Sequence, residues 1–511
     1  MERDIAWKSL TDEQNNELKT VTDQYRTFIS ECKTERLCTR RAVEMAEAAG
    51  YKELTALRNG TATLKTGDKV YATNAGKAIM LVQLGEDSLE SGMNILGAHI
   101  DSPRLDIKQN PVYESHDFAF LDTHYYGGIK AYQWVTMPLA LYGVVALKDG
   151  SVVDIALGDG ADDPVLVVTD LLPHLGAEQM KKTGDSLIEG EALDILVGSK
   201  PLIVEAGKAE ETDKAEEANK AEEAEKAVGT VGVDAAALEK KAKADGATYV
   251  DKLNAMSLKE AVKARLLSIL HETYGIEEED FLSAELEVVP AGAARDCGLD
   301  RSMVVGYGQD DRVCAFTSLL AQLDVEAPKR TSVTILVDKE EIGSVGATGM
   351  TSVFFENTIA EIMDMAGETG NLALRHALAN SCMLSSDVSA AFDPAYPSVF
   401  ETKNTAFAGR GLVFNKFTGA RGKSGSNDAN AEYIAKLRRI MDDAGVKYQT
   451  AELGRVNAGG GGTIAYIPAK YGMDVIDSGV AVLSMHSPWE VTSKVDIYEA
   501  YLGYKAFLRA E

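Results

Sequence analysis

The sequence predicts an α/β protein in which the main α/β unit is interrupted by an inserted, mostly β unit. Residues from about 295 to 511 alternate strand-like runs such as SVTILV with helical runs such as DDRVCAFTSLLAQL, which is the pattern of βα units. Residues from about 112 to 290 carry short strand-like pieces separated by Gly and Asp, which favours a separate β unit. An amphipathic helical pattern from about Thr11 to Gly50 and strand alternation from Ala78 to His99 precede the insertion.

Length and composition support more than one domain. The chain has 511 residues, of which 45% are hydrophobic and 26% are charged, so it is too long for a single ordinary core. We therefore predict that residues 1–111 form the first part of the main domain, that residues 112–294 form the inserted domain, and that residues 295–511 form the second part. A low-complexity insert covers residues 205–246.

The charge balance excludes several classes of partner. With a net charge of −27 the chain lacks the basic face that phosphate recognition needs, so we expect neither nucleic acid nor an anionic membrane surface as a partner. The N-terminal residues are charged where a signal peptide would be apolar, and the longest apolar run, Val135–Leu147, is too short to span a bilayer. The five cysteines form no CxxC pair. We expect a soluble protein in the reducing cytoplasm.

The segment Glu205–Ala227 is rich in Lys, Glu and Ala, and none of its apolar side chains is larger than that of alanine. Glu and Lys recur at i, i+4, as in Glu210 and Lys214, and each such pair stabilises a solvated helix by only about 0.2–0.5 kcal/mol. The segment cannot bury a core. We predict a flexible or marginally helical surface excursion, and a binding tail is the alternative.

The most informative motif is TILVDKEEIGSVGATGM, from Thr334 to Met350. A β-branched apolar run stops at Asp338 and is followed by the adjacent carboxylates of Glu340 and Glu341 and a glycine-rich turn. Open α/β sheets bind their ligands at the carboxyl ends of strands. Because adjacent carboxylates repel each other, the motif predicts that cations share the site.

A second motif, NILGAHIDSPRLDIK, places His99 at the end of an apolar strand and Asp101 two residues later. In an extended chain both side chains point to the same side. A carboxylate in that position can accept the other imidazole N–H and thereby orient a metal-bound histidine. A surface turn is the alternative for this pair taken alone.

Three further motifs place ligand-type residues near strand or helix ends. YGQDDRVCAF presents Asp310 and Asp311 directly before a helix, where capping of the helix N-terminus is the alternative. CMLSSDVSAAFDP places Asp387, and VAVLSMHSPWE places His486, just after an apolar strand, where each could also be an ordinary loop residue.

The joint pattern favours a metal site over these separate alternatives. Four strand ends each deliver His, Asp or Glu, which are ligands of divalent cations such as zinc. We therefore predict a site for two metal ions in which one aspartate bridges them. Two divalent ions carry +4 and three ligand carboxylates −3, which leaves a residual +1 to stabilise a hydroxide while a further carboxylate acts as base.

Taken together, the motifs resemble the family of dizinc aminopeptidases that contains aspartyl aminopeptidase and the yeast vacuolar aminopeptidase I. The resemblance rests on GAHIDSPRLDIK, HYYGGIKAYQW, LPHLG, EALDILVGSKPL, DDRVCAF, DKEEIGSVGATGM, SSDVSAAFDP, GSNDANAEY and SMHSPWE, in this order between Thr11 and Lys505. The sequence departs from the family in the Lys/Glu/Ala insert and at Asp311, where many relatives carry asparagine; we expect neither to touch a ligand. HYYGGIKAYQW and EALDILVGSKPL are closer to the aminopeptidase I branch.

This resemblance implies a role for each candidate residue. His99 and Asp387 would complete one metal position, Glu341 and His486 the other, and Asp310 would bridge them. Glu340 would be the general base and Asp101 would support His99. The resemblance implies two divalent ions per chain, zinc or else cobalt or manganese.

The resemblance also implies an assembly. The catalytic domain would have a central mixed sheet flanked by helices, as in zinc peptidases, and the inserted domain would mediate dimerisation. The protein would be a homo-oligomer, a dodecamer built from dimers. His174 in LPHLG would enter a neighbouring subunit's active site and stabilise the oxyanion, with a helix-terminal histidine as the alternative. The glycines Gly459–Gly462 would let the backbone approach metal or substrate, or form a flexible turn.

The predicted function is removal of N-terminal residues, neutral or apolar ones, from peptide substrates. A preference for aspartyl or glutamyl residues is the alternative within the family. A catalytically silent scaffold or cargo receptor is a second alternative, although five buried ligands and Glu340 have no physical use in it. Another two-metal amide hydrolase, such as a deacylase or a carboxypeptidase, would use similar ligands.

Overall fold

A computed structural model describes residues 4–204, 234–244 and 246–511. The chain divides into two compact units. The first contains the chain up to Pro103 together with Tyr126–Ile129 and Gly292–Glu511, and the second contains Arg104–Tyr125 and Lys130–Ala291. The predicted surface excursion over Glu205–Ala227 lies outside the described residues. The proposed role of the second unit in oligomerisation remains a prediction.

The strands and helices alternate along most of the chain. In chain order the strands are β1 Lys52–Glu53, β2 Lys69–Asn74, β3 Ala78–Gln83, β4 Asn94–His99, β5 Arg104–Ser115, β6 Phe118–Tyr126, β7 Leu139–Ala146, β8 Val152–Leu157, β9 Ile195–Gly198, β10 Ala284–Pro290, β11 Arg295–Cys297, β12 Met303–Gly306, β13 Ser332–Val337, β14 Cys382–Ser386, β15 Ser389–Ala390, β16 Leu412–Asn415, β17 Tyr448–Ala451, β18 Asp474–Gly479, β19 Ala481–Leu483 and β20 Glu490–Ser493. The α-helices are α1 Asp12–Glu31, α2 Glu35–Ala48, α3 Leu54–Asn59, α4 Ala235–Ala242, α5 Tyr249–Met256, α6 Ala261–Tyr274, α7 Gln309–Leu323, α8 Phe354–Met365, α9 Ala373–Ala379, α10 Ala431–Ala444, α11 Tyr466–Ala469 and α12 Lys494–Arg509.

A nine-stranded mixed sheet forms the centre of the first unit, in the order β1-β2-β3-β13-β4-β14-β18-β16-β17. Its four central strands β13, β4, β14 and β18 run parallel, and β3 and β16 flank them antiparallel. Every residue of β4, β13 and β14 is buried. Burial on both faces explains why these strands have continuous apolar runs instead of alternation. The predicted α/β class with a central mixed sheet is confirmed.

Helices cover the sheet and hold its strands in register. Helices α7 and α12 pack against each other and against β4, and α1 packs against both helices. Helix α1 begins with the capping box of Thr11 and Gln14, which satisfies backbone N–H groups at its first turn. The sequence pattern predicts one helical region from Thr11 to Gly50, and the structure divides it into α1 and α2 at residues 32–34.

A second sheet of the first unit has five strands in the order β11-β12-β20-β19-β15. Strands β19 and β20 form an antiparallel pair, and β12 pairs with β20. Helix α7 follows β12 directly along the chain. The loop between β19 and β20 and the start of α7 are therefore anchored to the same sheet.

The second unit contains a six-stranded sheet in the order β8-β7-β10-β5-β6-β9. The described residues of this unit also form the α-helices α4 to α6, which the prediction of a mostly β insertion leaves out. Asp234 and Thr248 cap the N-termini of α4 and α5, and the left-handed Gly275 ends α6. The strand-like piece PVLVVTDLL forms only isolated bridges at Leu166 and Val167. Pro164 at its start cannot donate a ladder hydrogen bond.

Within the described part of the chain, no helix combines the length and apolar character that crossing a bilayer requires.

Candidate metal centre

Three adjacent parallel strands of the nine-stranded sheet end at one edge and bring polar residues together there. Strand β4 ends at His99, which pairs with Val337 at the end of β13. The turn after β13 carries Glu340 and Glu341. On the other side of β4, strand β14 ends one residue before Asp387. The carboxyl ends of parallel strands meet at the same edge, and this explains why residues almost 300 positions apart in sequence become neighbours.

The five-stranded sheet supplies the other two residues of the cluster. Asp310 lies at the beginning of α7, just after β12, and His486 lies in the loop between β19 and β20. The backbone of His486 is left-handed, with φ of 63°, a conformation found in tight turns. The backbone angles of Asp310 and Asp311 are non-helical, so α7 is kinked at its beginning.

The carboxylate of Asp310 faces two histidines, one with each oxygen. Its Oδ1 lies 3.1 Å from Nε2 of His99, and its Oδ2 lies 3.1 Å from Nε2 of His486. Asp310 is only 4% exposed. This two-sided arrangement is what a carboxylate that bridges two metal positions requires.

A further carboxylate lies beside each histidine. Oε2 of Glu341 is 3.5 Å from Nε2 of His486, and Oδ1 of Asp387 is 3.9 Å from Nε2 of His99. The structure thus brings together all five predicted ligands. The two histidines define two halves of the cluster, with Glu341 in one and Asp387 in the other.

The outer nitrogen of each imidazole is held by an oxygen. Nδ1 of His99 lies 3.1 Å from the backbone carbonyl of Asp101 and 3.3 Å from its carboxylate. Nδ1 of His486 lies 3.0 Å from the carbonyl of Gly128. An acceptor at Nδ1 selects the tautomer that leaves Nε2 free to bind a metal.

The carboxylates control the protonation of both histidines in the metal-free chain. Burial by itself lowers the pKa of His486, but the hydrogen bond to Asp310 and the charges of Asp310 and Glu341 outweigh it and raise that pKa to about 10. The pKa of His99 is raised for the same reason, since Asp101 and Asp310 outweigh burial. Conversely, burial raises the pKa of Asp310, but its two histidine partners more than offset this and the net shift is downward.

The remaining carboxylates of the cluster shift in the opposite direction. Burial is the largest cause of the raised pKa values of Glu341 and Asp387, and the charge of Asp310 adds to both. Burial, together with the charges of Asp101 and Asp310, raises the pKa of Glu340 to about 7. Without cations these carboxylates cannot all ionise, because like charges in a buried site disfavour one another.

The residues present fit a divalent metal ion. Ligand atoms of His99, Asp310 and Glu341 all lie within 4.8 Å of one another, and so do those of His99, Asp311 and Asp387. Oε1 of Glu341 is buried and accepts no hydrogen bond from any described residue. Imidazole nitrogen with carboxylate oxygen is a donor set that suits zinc.

Asp311 belongs to this cluster, contrary to the expectation that it touches no ligand. Its side chain is fully buried beside His99 and Asp387, and neither carboxylate oxygen accepts a hydrogen bond from the described residues. Burial raises the pKa of Asp311 well above the ordinary range. The only sequence signal was its position next to Asp310, which also fits helix capping. An uncharged Asp311 leaves the charge balance of the predicted ligands unchanged.

Glu490 is a residue of the site that the sequence analysis missed. Its side chain is 1% exposed, with Oε2 accepting the backbone N–H of Asp310 at 3.1 Å and Oε1 accepting that of His486 at 2.8 Å. Burial raises the pKa of Glu490 to about 8. Glu490 therefore ties together the backbones of two cluster residues from different elements. It is the last residue of SMHSPWE, but a glutamate at the start of a strand has no distinctive pattern.

Asp101 joins His99 to the turn that carries the two glutamates. Besides facing Nδ1 of His99, its carboxylate accepts the backbone N–H of Glu340 at 3.1 Å and that of Glu341 at 3.2 Å. Asp101 is fully buried. One side chain thus fixes a histidine and the adjacent carboxylates relative to one another.

A cavity of about 880 Å³ opens onto the cluster. Its lining includes Glu340, Glu341, Asp310, Asp387 and His486. The other lining residues are mostly apolar or glycine: Gly343, Ser344, Val388, Ala390, Val399, Phe400, Gly425, Leu453, Gly454, Ala458, Gly459, Gly460, Gly461, Gly462, Thr463, Tyr466 and Met485. The chain packs closely here, since a Cβ added at Gly459 would lie 1.9 Å from the carbonyl oxygen of Leu453. The predicted glycine run therefore does line the cavity.

His174 lies in the second unit, in an exposed turn. Its predicted action in a neighbouring subunit stays a prediction.

Comparison with known proteins identifies a family whose model matches most of this chain. The family described as aminopeptidase I zinc metalloprotease (M18) matches residues 28–508. A probable M18 family aminopeptidase 1 of Clostridium acetobutylicum is 53% identical over 503 residues, which cover 98% of this chain and 97% of the relative.

Solved structures give the same result. The crystal structure of aminopeptidase I from C. acetobutylicum aligns with a TM-score of 0.83 at 50% identity and covers 100% of both chains. An M18 family aminopeptidase from Thermotoga maritima aligns with a TM-score of 0.85 at 38% identity, covering 100% of this chain and 99% of that one. The S. cerevisiae mApe1 dodecamer aligns with a TM-score of 0.69 at 18% identity over 96% of this chain and 97% of its own, a likeness that shows the fold alone.

Metal binding should release protons, and metal affinity should therefore rise with pH. In the metal-free chain the pKa of His486 is raised to about 10, so its imidazole holds a proton at neutral pH that a metal ion must displace. Between pH 6 and 9 we expect zinc affinity to increase by about tenfold per pH unit for each proton displaced. Calorimetric titration in buffers of different ionisation enthalpy measures the released protons.

The control for this titration is His376→Gln. His376 forms an exposed pair with Glu90, 2.6 Å apart, and contacts no residue of the cluster among the described ones. On binding zinc, the His376→Gln variant should release the same number of protons as the unsubstituted protein. A zinc affinity independent of pH would contradict the protonation states given above.

Proposed function

We infer that this chain, which belongs to the aminopeptidase I zinc metalloprotease (M18) family, hydrolyses the N-terminal peptide bond of peptides at a site that holds two divalent metal ions. The observation that carries the inference is the two-sided Asp310 carboxylate, each oxygen of which lies 3.1 Å from Nε2 of a different histidine. A carboxylate that faces one histidine with each oxygen can be shared by two metal positions.

The ligands divide into two sets around Asp310. His99 and Asp387 would hold one ion and Glu341 and His486 the other, with Asp310 common to both. Ions bound there supply Lewis acidity, which polarises the scissile carbonyl and lowers the pKa of a water molecule. Zinc is the proposed metal, and cobalt and manganese accept the same ligands.

The charges support this assignment. The ionised carboxylates of Asp310, Glu341 and Asp387 carry −3, and two divalent ions would carry +4. Asp311 adds no charge when it keeps its proton, and the raised pKa of that buried carboxyl supports this. The residual positive charge favours a bound hydroxide as nucleophile.

Glu340 is the proposed general base. It lines the cavity, and its backbone N–H is fixed by Asp101. Its pKa of about 7, raised chiefly by burial, suits a group that takes a proton from water and returns it to the leaving amine at neutral pH. Oε2 of the neighbouring Glu341 lies 3.5 Å from Nε2 of His486. This contact supports the role of metal ligand for Glu341 and leaves the role of base to Glu340.

The cavity lining supports a neutral or apolar N-terminal residue in the substrate. Val399, Phe400, Leu453, Tyr466 and Met485 provide apolar surface. Lys and Arg are absent from the described residues that line the cavity, so an aspartyl or glutamyl side chain would find neither of these cationic side chains to pair with there. The alternative preference for acidic residues lacks such support.

We propose that the chain acts as a homo-oligomer, a dodecamer built from dimers through the second unit. The S. cerevisiae mApe1 protein, which has the same fold, is a dodecamer. In such an assembly His174, exposed in the second unit, would act as an oxyanion donor in a neighbouring subunit. A cytoplasmic setting agrees with the five cysteines, all of which are free thiols.

Glu340→Gln should keep both metal ions and lose most of kcat, by roughly a hundredfold to ten-thousandfold, because it removes the base without removing a ligand. Metal analysis beside steady-state kinetics measures both effects. Glu341→Gln is the matched variant and should lose metal together with activity. Loss of metal from Glu340→Gln would mean that the two roles are exchanged.

Leucyl substrates should have a higher kcat/KM than aspartyl substrates at matched ionic strength. The apolar lining gains from burying a leucine side chain, roughly 1.5–3 kcal/mol, whereas an aspartyl carboxylate would lose hydration against that lining without a cationic side chain to offset the loss. The comparison uses N-terminal leucyl and aspartyl peptides of otherwise identical sequence. A clear aspartyl preference would overturn the assigned preference and leave the reaction unchanged.

Mixing inactive Glu340→Gln subunits with inactive His174→Ala subunits should restore part of the activity. Subunit exchange creates interfaces that pair an intact Glu340 site with an intact His174 from its neighbour, and a lost oxyanion donor costs about 3–4 kcal/mol. Native mass spectrometry verifies that mixed oligomers form. If they form and no activity returns, His174 acts within its own chain or has no catalytic role.

A further inference from the structure

The segment Tyr126–Ile129 belongs to the first unit, although the chain on both sides of it belongs to the second. Its residue Tyr126 is buried, and the Tyr126 hydroxyl donates a hydrogen bond of 2.8 Å to Oδ2 of Asp101. Asp101 is the residue that faces Nδ1 of His99 and accepts the backbone N–H groups of Glu340 and Glu341. The tyrosine hydroxyl therefore contacts the carboxylate that lies against both His99 and the turn of Glu340 and Glu341.

The next two residues of the segment reach the other half of the cluster. Gly127 has a left-handed φ of 72°, and a Cβ added there would lie 3.3 Å from Cβ of Glu341. The carbonyl of Gly128 lies 3.0 Å from Nδ1 of His486. Glycine at position 127 lets the backbone pass this close to Glu341 without strain or collision.

We propose that Tyr126–Gly128 is a clamp that orients the ligands of both metal positions, with Tyr126 and Gly128 as positioning residues. Tyr126 acts through Asp101 on His99 and on the Glu340–Glu341 turn. Gly128 acts on His486 directly, through its backbone carbonyl. The inference rests on the proposed function, because positioning matters only if these side chains bind metal.

The proposed clamp works by limiting the rotation of the side chains that it contacts. Asp101 accepts hydrogen bonds from the backbone N–H groups of the turn that carries Glu340 and Glu341, and the Tyr126 hydroxyl adds one from a different part of the chain. Without it the Asp101 carboxylate loses one of the contacts that fix its orientation. The direction of Nε2 of His99 would then be less well fixed, and a metal ligand that must be ordered on binding binds more weakly.

Tyr126→Phe tests the clamp with the smallest possible change. We expect cobalt and zinc affinity to fall by about tenfold, the lower end of the effect of removing a partner that orients metal ligands. The visible absorption spectrum of the cobalt-loaded protein should change, since it reports ligand geometry. For leucyl peptides kcat should fall while KM stays within about twofold, because the pocket for the side chain is untouched.

Tyr433→Phe is the matched control. Tyr433 is also buried and its hydroxyl also donates to a protein oxygen, the carbonyl of Met383 at 3.0 Å, but it contacts none of the cluster residues. This variant should keep the metal affinity and cobalt spectrum of the unsubstituted protein. If Tyr126→Phe matches Tyr433→Phe in both measurements, the clamp is overturned while the proposed function stands.

A second pair of variants tests the backbone part of the segment. Gly127→Ala should weaken metal binding because its methyl group crowds Glu341. Gly445→Ala has nearly the same backbone angle, φ of 71°, and no atom within 4 Å of the added Cβ, so it controls for strain alone. Equal metal affinity in these two variants would overturn the role of Gly127. An unsubstituted protein that binds no cobalt or zinc would overturn both the clamp and the proposed function.

Discussion

The site depends on the buried carboxylate of Asp310 between two imidazoles. A carboxylate removed from water needs positive charge or hydrogen-bond donors around it, and here each oxygen faces one histidine. This contact fixes the distance between the end of β4 and the loop between β19 and β20. The two sheets of the first unit must therefore meet at this residue, and the positions of the other ligands follow from it.

Two further buried carboxylates hold the residues of the cluster in place. Asp101 accepts hydrogen bonds from the backbone of Glu340 and Glu341, and Glu490 accepts them from the backbone of Asp310 and His486. Each of these two carboxylates joins residues of different elements. The cluster is thereby ordered before any substrate arrives, and a site that is ordered in advance loses little entropy when it binds.

The same groups make the metal-free site electrostatically unfavourable. Burial and mutual repulsion raise the pKa values of Glu341, Asp387 and Asp311, while the histidines become more basic. Protonation of these groups therefore competes with cation binding. A fold that keeps so many buried acids in contact gives up stability in the absence of metal, and this is the usual situation at catalytic sites.

The sequence by itself determined the types of ligand and the strand ends that carry them. Apolar runs that stop at His99, at Asp338 and just before Asp387 specify buried parallel strands with polar residues at one edge, because periodicity and burial are local properties of a segment. The alternation of strands and helices specified the α/β class for the same reason. The family resemblance added the division of roles among the ligands, which remains a proposal.

Only the tertiary structure decided which residues meet. Asp311, Glu490 and Tyr126 occupy positions that would suit a helix cap, a strand residue and an ordinary core tyrosine, and their contacts with the cluster come from elements distant in sequence. The piece PVLVVTDLL has the composition of a strand yet forms only isolated bridges, because composition does not select a pairing partner. Hydrogen-bond partners and strand register are nonlocal, so a local pattern could predict the site but not the groups that hold it.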